Sequence, residues 1–346
     1  MLFALAVTVA YVPGLIGGAL PTGWVILWLA APLLMIEHRI SMTPAHWLGL
    51  SFLCYAGLSL AWSPNGMLRF MQLLALGAVF AWASDLSDIR RVLKGLAIGL
   101  GVSGLVTLAQ VAGYQPVSTA EGSEFAGLFV NRNVLAEVSA LLAVLLIAHR
   151  MSSPWLAVTL PGLAMSSRTV LLALGAAAAT ALWYKSRRVA LVVVLGAVLV
   201  VAAMLASNVK SSNERVAVWQ DTWQGLTWSG HGVGSFQYLY PKFATNVDTL
   251  VRRPQHAHND LLELVFELGV GVIPLVLGVV LLLGVNDVNR AALVCFLVMA
   301  TFSFPLNTPV TGFMAAVVAG QLSRRLGVVR LHGAGWRSAL SVRVPS

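Results

Sequence analysis

Apolar runs about as long as a membrane-crossing helix recur from one end of this chain to the other, separated by short charged clusters. The pattern constrains the fold before any single residue does. Hydrophobic residues make up 58% of the 346, charged residues only 10%, and the mean hydropathy is +0.83. A soluble domain carries about 25% charged residues, and a large soluble helical protein would not repeat such runs so often. The sequence reads as an all-α, polytopic integral membrane protein, with residues 1–346 forming a single transmembrane domain. The net charge of +9 is not a nucleic-acid footprint, because Lys and Arg cluster between the runs as helix-end anchors and positive-inside loops do. Cys54 and Cys295 lie in apolar runs and read as small core residues rather than a disulfide or metal ligands. Met1 to Ala10 has neither a basic leader nor a small-residue cleavage site, so it is expected to be a retained first span.

The runs predict about twelve spans. The first nine are Leu2–Leu20, Gly23–Ile36, Trp47–Ala61, Met67–Ala83, Val92–Ala112, Phe125–Ala148, Trp155–Met165, Thr169–Tyr184 and Val189–Ala206. A hydrophilic loop over 207–257 precedes Leu261–Leu283, Ala291–Phe304 and Val310–Leu322, and a basic tail covers 323–346. Most loop arginines and lysines fall on the side of both termini, which makes that side cytoplasmic and the 207–257 loop periplasmic in a two-membrane cell. The basic residues left on the outer side are Arg69, Arg132, Arg168, Lys210, Arg215, Lys242, Arg252 and Arg253. Arg132 and Arg168 stand at or inside span ends, where a lone charge is costly. They either snorkel, pair with Glu137 or Glu124, or join a cluster of guanidinium forks that grips phosphate oxygens.

The densest polar chemistry lies between Arg252 and Gly271. His258 and Asn259 open a helix on which Asp260, Glu263 and Glu267 share one face. A histidine here suits a general base; a loop cap remains open, while His256 and His258 lack further ligands of matching spacing for zinc. Upstream, Val216, Trp219 and Trp223 recur at helical spacing, which predicts an interfacial amphipathic helix. Gly230, Gly232 and Gly234 then free the backbone for a turn against the membrane rather than a nucleotide loop, since no strand precedes them. The aromatics Trp219, Trp223, Trp228, Phe236, Tyr238 and Tyr240 either stack on sugar rings or anchor the loop.

Taken together, Arg215 with Trp219, GHGVGSF at Gly230–Phe236, HAHND at His256–Asp260 and ELG at Glu267–Gly269 resemble the O-antigen ligase and polymerase superfamily, which includes protein O-oligosaccharyltransferases. His258, Asn259 and Gly269 match its ligase pattern, Ile273 departs from it, and Asn131–Asn133 and Ser167-Arg168 also look like family positions. The resemblance covers roughly Phe125 to Leu306. It implies a GT-C-like transferase of the bacterial inner membrane with a helical periplasmic loop. Its donor would be an undecaprenyl-diphosphate-linked oligo- or polysaccharide, and neither cofactor nor metal would be needed. His258 would deprotonate or orient the acceptor hydroxyl, with inversion at the anomeric carbon. Arg215, Arg168 and Arg132 would bind the diphosphate, Arg215 also serving catalysis, where positive donors meet developing charge. His256, Asn259 and Asn131 would support the site, and Glu263 or Asp260 would hold the His258 tautomer. Lipid A-core is the favoured acceptor; another lipid-linked glycan (a polymerase) or a pilin hydroxyl are the alternatives. A lipid-linked glycan transporter would need polar residues through both membrane halves, and a non-catalytic scaffold would tolerate loss of His258.

Overall fold

A computed structural model describes residues 1, 4, 6–7, 22–36, 41–115, 125–129, 131–165, 167–183, 186–207, 209–245 and 254–327. Most of the expected first span, Arg252, Arg253, Glu124 and the tail beyond 327 lie outside the described residues. Among the described residues the fold is entirely helical. The helices are α1 (Thr22–Ile36), α2 (Pro44–Leu58), α3 (Met67–Asp85), α4 (Arg90–Val111), α5 (Arg132–Ala148), α6 (Ser153–Ala157), α7 (Leu160–Ala164) and α8 (Arg168–Leu182). They continue as α9 (Arg187–Ser207), α10 (Val209–Gln224), α11 (Phe236–Leu239), α12 (Asp260–Leu268), α13 (Ile273–Gly284), α14 (Arg290–Phe302) and α15 (Pro309–Ser323).

Among the described residues, three helical stretches are long and apolar enough to cross a membrane: Met67–Asp85, Arg90–Val111 and Asp260–Gly284. Leu105, Leu108 and Val111 on α4, and Val192, Leu195 and Leu199 on α9, turn outward with nothing polar to cover them, which suits a surrounding of lipid. α15 is apolar on every side and buried almost throughout, so it forms the centre of the bundle. It packs along α3 through Gly312, Ala316 and Gly320, which recur every four residues. A Cβ on Gly320 would stand 2.4 Å from the Phe80 carbonyl oxygen, so the close approach depends on the small residue. At this same end of the pair, Thr43 Oγ1 meets Ser323 Oγ at 2.6 Å and His46 Nδ1 at 2.8 Å, while His46 Nε2 meets Ser84 Oγ at 3.2 Å. These bonds tie α2, α3 and α15 together.

Two expected spans are broken. The seventh, Trp155–Met165, is two short helices, α6 and α7, with Pro161 opening the second. Proline removes one hydrogen bond and its ring crowds the carbonyl four residues back. The tenth stops at Leu268, turns through Gly269 at φ 53 and ψ −128, makes one 3-10 turn and resumes at Ile273. An L side chain does not tolerate that conformation. A third correction concerns Cys54, which is exposed on α2, whereas Cys295 is buried as expected.

The break in the tenth span has a partner. His231 and Gly232 donate their amides to the Phe266 and Glu267 carbonyls at 3.1 and 2.8 Å, and Val270 donates to the Trp228 carbonyl at 2.9 Å. The glycine string therefore docks its backbone into the gap where the helix ladder opens. Gly230, Gly232 and Gly234 all have positive φ, and a Cβ on Gly232 would lie 2.6 Å from Ser63 Cα. The string is a backbone clasp that fixes the loop before α12 onto α12 and the start of α3.

Candidate functional site

The 207–257 loop begins with α10, whose Val218, Asp221 and Thr222 point inward while Val216 and Trp223 point out. Its aromatics divide by role. Phe236 and Tyr240 are buried and stacked on each other at 5.2 Å, and the Tyr240 hydroxyl donates to Asp221 at 2.9 Å. They form the loop's own core. Trp223 and Trp228, at 70% and 86% exposure, lie on the loop's surface. Trp219 is fixed by its indole N–H, which donates to the Ala257 carbonyl at 2.8 Å. His231 is also structural: Nε2 contacts the Gly225 carbonyl at 2.7 Å and the ring packs on Phe266.

Asn259 caps α12, its side chain accepting from the Leu262 amide at 2.9 Å. His258, just before it, lies in the left-handed region at φ 54. That conformation costs a non-glycine residue about 1–2 kcal/mol. The turn brings His256, not His258, over the helix. Glu263 Oε1 lies 3.1 Å from His256 Nδ1, and Glu263 Oε2 accepts the Ala257 amide at 2.8 Å. Asp260 is likewise committed elsewhere, accepting from the Leu306 amide at 2.8 Å and Asn307 Nδ2 at 2.9 Å. The expectation that Glu263 or Asp260 holds the His258 tautomer is therefore overturned. Helical spacing placed the carboxylates correctly on one buried face, but the left-handed residue redirects the ring.

His258 Nδ1 is buried and has no hydrogen-bond partner. Burial first, then the neighbouring Arg215 guanidinium and His256, push its pKa down to about 4, with Glu263 opposing. The imidazole is neutral at ordinary pH. Arg215, on α10, donates Nη1 to the Phe302 carbonyl at 3.0 Å. Burial and the charge of Arg168 depress the Arg215 guanidinium, and Glu137 counters them. Glu137 is buried on α5 and takes a hydrogen bond from Ser303. The structure thus brings together His258, Arg215, Arg168 and Glu137.

Arg132 and Arg168 each stand first in a helix, capped by Asn131 and Ser167. Asn131 accepts from the Asn133 amide at 2.8 Å, so it acts as a helix cap. A cation on the positive end of a helix dipole is an arrangement that favours an anion between them. Arg132 is exposed and five residues before Glu137, about 7.5 Å of helix rise away.

Two parts of the site escaped the sequence reading. The connector between α14 and α15, Ser303 to Thr308, touches several of these residues: Ser303 meets Glu137, Phe304 stacks on His256 at 5.0 Å and meets the His258 ring edgewise at 5.1 Å, and Asn307 reaches Asp260. Pro305, Asn307 and Pro309 in an otherwise apolar stretch were the available signal. The second is Arg69, read as one of several outer cations. It is buried to 7% exposure, contacts Gln72 Oε1 at 3.3 Å, and lies within electrostatic reach of Asp260, Glu263 and Glu267. Among the described residues no group of three or more His, Cys, Asp or Glu side chains is arranged to hold a metal ion. Neither a known family model nor a curated protein matches this chain.

Proposed function

We propose that the chain is a membrane glycosyltransferase of about twelve spans and GT-C-like build. It moves a glycan from undecaprenyl diphosphate to an acceptor hydroxyl at the outer face of the bacterial inner membrane, with lipid A-core as acceptor. The observation that carries this reading is one neutral, half-buried histidine set beside Arg215, which has Arg168 as its own neighbour. In the reaction the acceptor oxygen bonds to the anomeric carbon as the bond to the diphosphate oxygen breaks. Arg215 and Arg168, with Arg132 at the rim, stabilise the charge gathering on the diphosphate. Nδ1 of His258 is sealed off, so the hydroxyl meets Nε2. An imidazole with a pKa of about 4 is a weak base, and its role is to accept the hydroxyl's hydrogen bond, align the oxygen and pass the proton on towards the departing diphosphate.

The test is the surface-glycan profile of cells lacking this gene, complemented with wild type or His258→Ala. Full-length lipid-linked polymer that never reaches lipid A marks a ligase. A single repeat on lipid A without a ladder marks a polymerase, and a smaller pilin with unchanged glycan marks protein glycosylation. Complementation by His258→Ala would overturn the assignment of His258.

A further inference from the structure

A histidine that handles an acceptor hydroxyl is ordinarily oriented by a hydrogen bond to its second nitrogen. His258 has no such bond: Nδ1 is buried and unpartnered, and the nearest carboxylates serve His256 and the Leu306–Asn307 backbone and side chain. Something else must set the ring. Phe304 presents an edge-on contact to His258 at 5.1 Å and 61°, and its face stacks on His256 at 5.0 Å and 26°. The two rings therefore share one aromatic wall. The wall is itself held on both sides. One residue before it, Ser303 bonds to Glu137; two residues before it, the Phe302 carbonyl accepts from Arg215 at 3.0 Å. Two and three residues after it, the Leu306 amide and the Asn307 side chain grip Asp260 at 2.8 and 2.9 Å.

We propose that Phe304 is the positioning residue of His258, fixing the imidazole by ring contact where a carboxylate partner is absent. The proposal rests on the transferase reading of the site. It makes Asp260 a clamp on the connector, which explains why a buried carboxylate beside the histidines is bonded to neither. The groups facing His258 are Arg215 from α10, His256 from the preceding loop and Glu263 from α12, with Phe304 against the ring.

The experiment compares wild type, Phe304→Leu and Phe304→Tyr, purified in detergent and returned to vesicles, using a polyprenyl-diphosphate oligosaccharide and a hydroxyl acceptor. Phe304→Leu keeps an apolar filler but removes the ring. It should lower kcat by about tenfold or more, because a small misplacement of a reacting group is costly, while the donor KM stays within about twofold. Phe304→Tyr, which retains the ring, should restore most of the rate. In parallel, carbethoxylation of His258 by diethyl pyrocarbonate, read by mass spectrometry, should be several-fold faster in Phe304→Leu than in wild type or Phe304→Tyr (about fivefold for a ring freed from packing). Wild-type rates in Phe304→Leu together with unchanged His258 labelling would overturn the proposal. A wild-type protein with no transfer activity would instead overturn the functional reading, while the labelling result would still decide what holds His258.

Discussion

Glu263 Oε1 lies 3.1 Å from His256 Nδ1, so this buried carboxylate serves His256 and leaves His258 to be set by packing. His256 and His258 are two residues apart, yet they stand in different chemical situations. His256 shares a hydrogen bond with a carboxylate, whereas His258 is half-buried beside Arg215 and is neutral.

That difference predicts the pH dependence. The form of His258 that can accept a hydrogen bond is the neutral one, and its pKa is lowered to about 4. The lowered value keeps the active form populated across neutral pH, so kcat/KM should show no inflection from His258 near 6.5 and should fall only as pH drops through about 4. Arg215 is one of the charges holding that value down. In Arg215→Gln, whatever activity remains should lose its acid limb at a higher pH than wild type. A limb that moves the other way would contradict the proximity of these two residues.

The pairing of His256 with Glu263 is testable apart from activity. Unfolding free energies of Glu263→Gln, His256→Phe and the double variant form a cycle, and its coupling should fall between about 0.5 and 3 kcal/mol. Strict additivity would mean that the hydrogen bond contributes nothing, and that the left-handed turn at His258 alone places His256.

Gly269 gives the cleanest stability prediction. An added Cβ would sit 2.0 Å from the Trp228 carbonyl oxygen, at a φ of 53. Gly269→Ala should therefore cost about 3 kcal/mol or more, combining backbone strain and overpacking. Gly196 has nothing within 4 Å of its would-be Cβ, and Gly196→Ala should be neutral or stabilise by about 0.4–1 kcal/mol. Thermal unfolding in detergent separates the two; equal melting temperatures would show that the clasp between the glycine string and the broken helix does not form.

Much of this was legible in the sequence. The long apolar runs gave the helical class, and the three-and-four spacing of Asp260, Glu263 and Glu267 placed all three on one buried face. Asn259 sits at the cap its residue type suits. The unexpected outer arginines led to Arg168 and Arg215, which the fold does bring near each other. What was not legible is what single residues do to chain direction. The positive φ at His258 decides which histidine meets Glu263, and Gly269 turns a long apolar run into two helices with a loop clasped between them. The roles of Phe304 and Asn307 were not legible for another reason: although Pro305, Asn307 and Pro309 mark the connector, the partners lie more than forty residues away. Arg69 looked like one more membrane-edge cation because burial inside a bundle is a tertiary property.

The most direct measurement is release of polyprenyl diphosphate by the purified protein in vesicles supplied with lipid-linked oligosaccharide and a hydroxyl acceptor. The account predicts acceptor-dependent release by wild type, and a loss of at least about a hundredfold in His258→Ala. His258→Asn, which tolerates the left-handed backbone, should fold like wild type and be as inactive as the alanine variant. Release by His258→Asn at the wild-type rate, or no release by wild type with any hydroxyl acceptor, would contradict it.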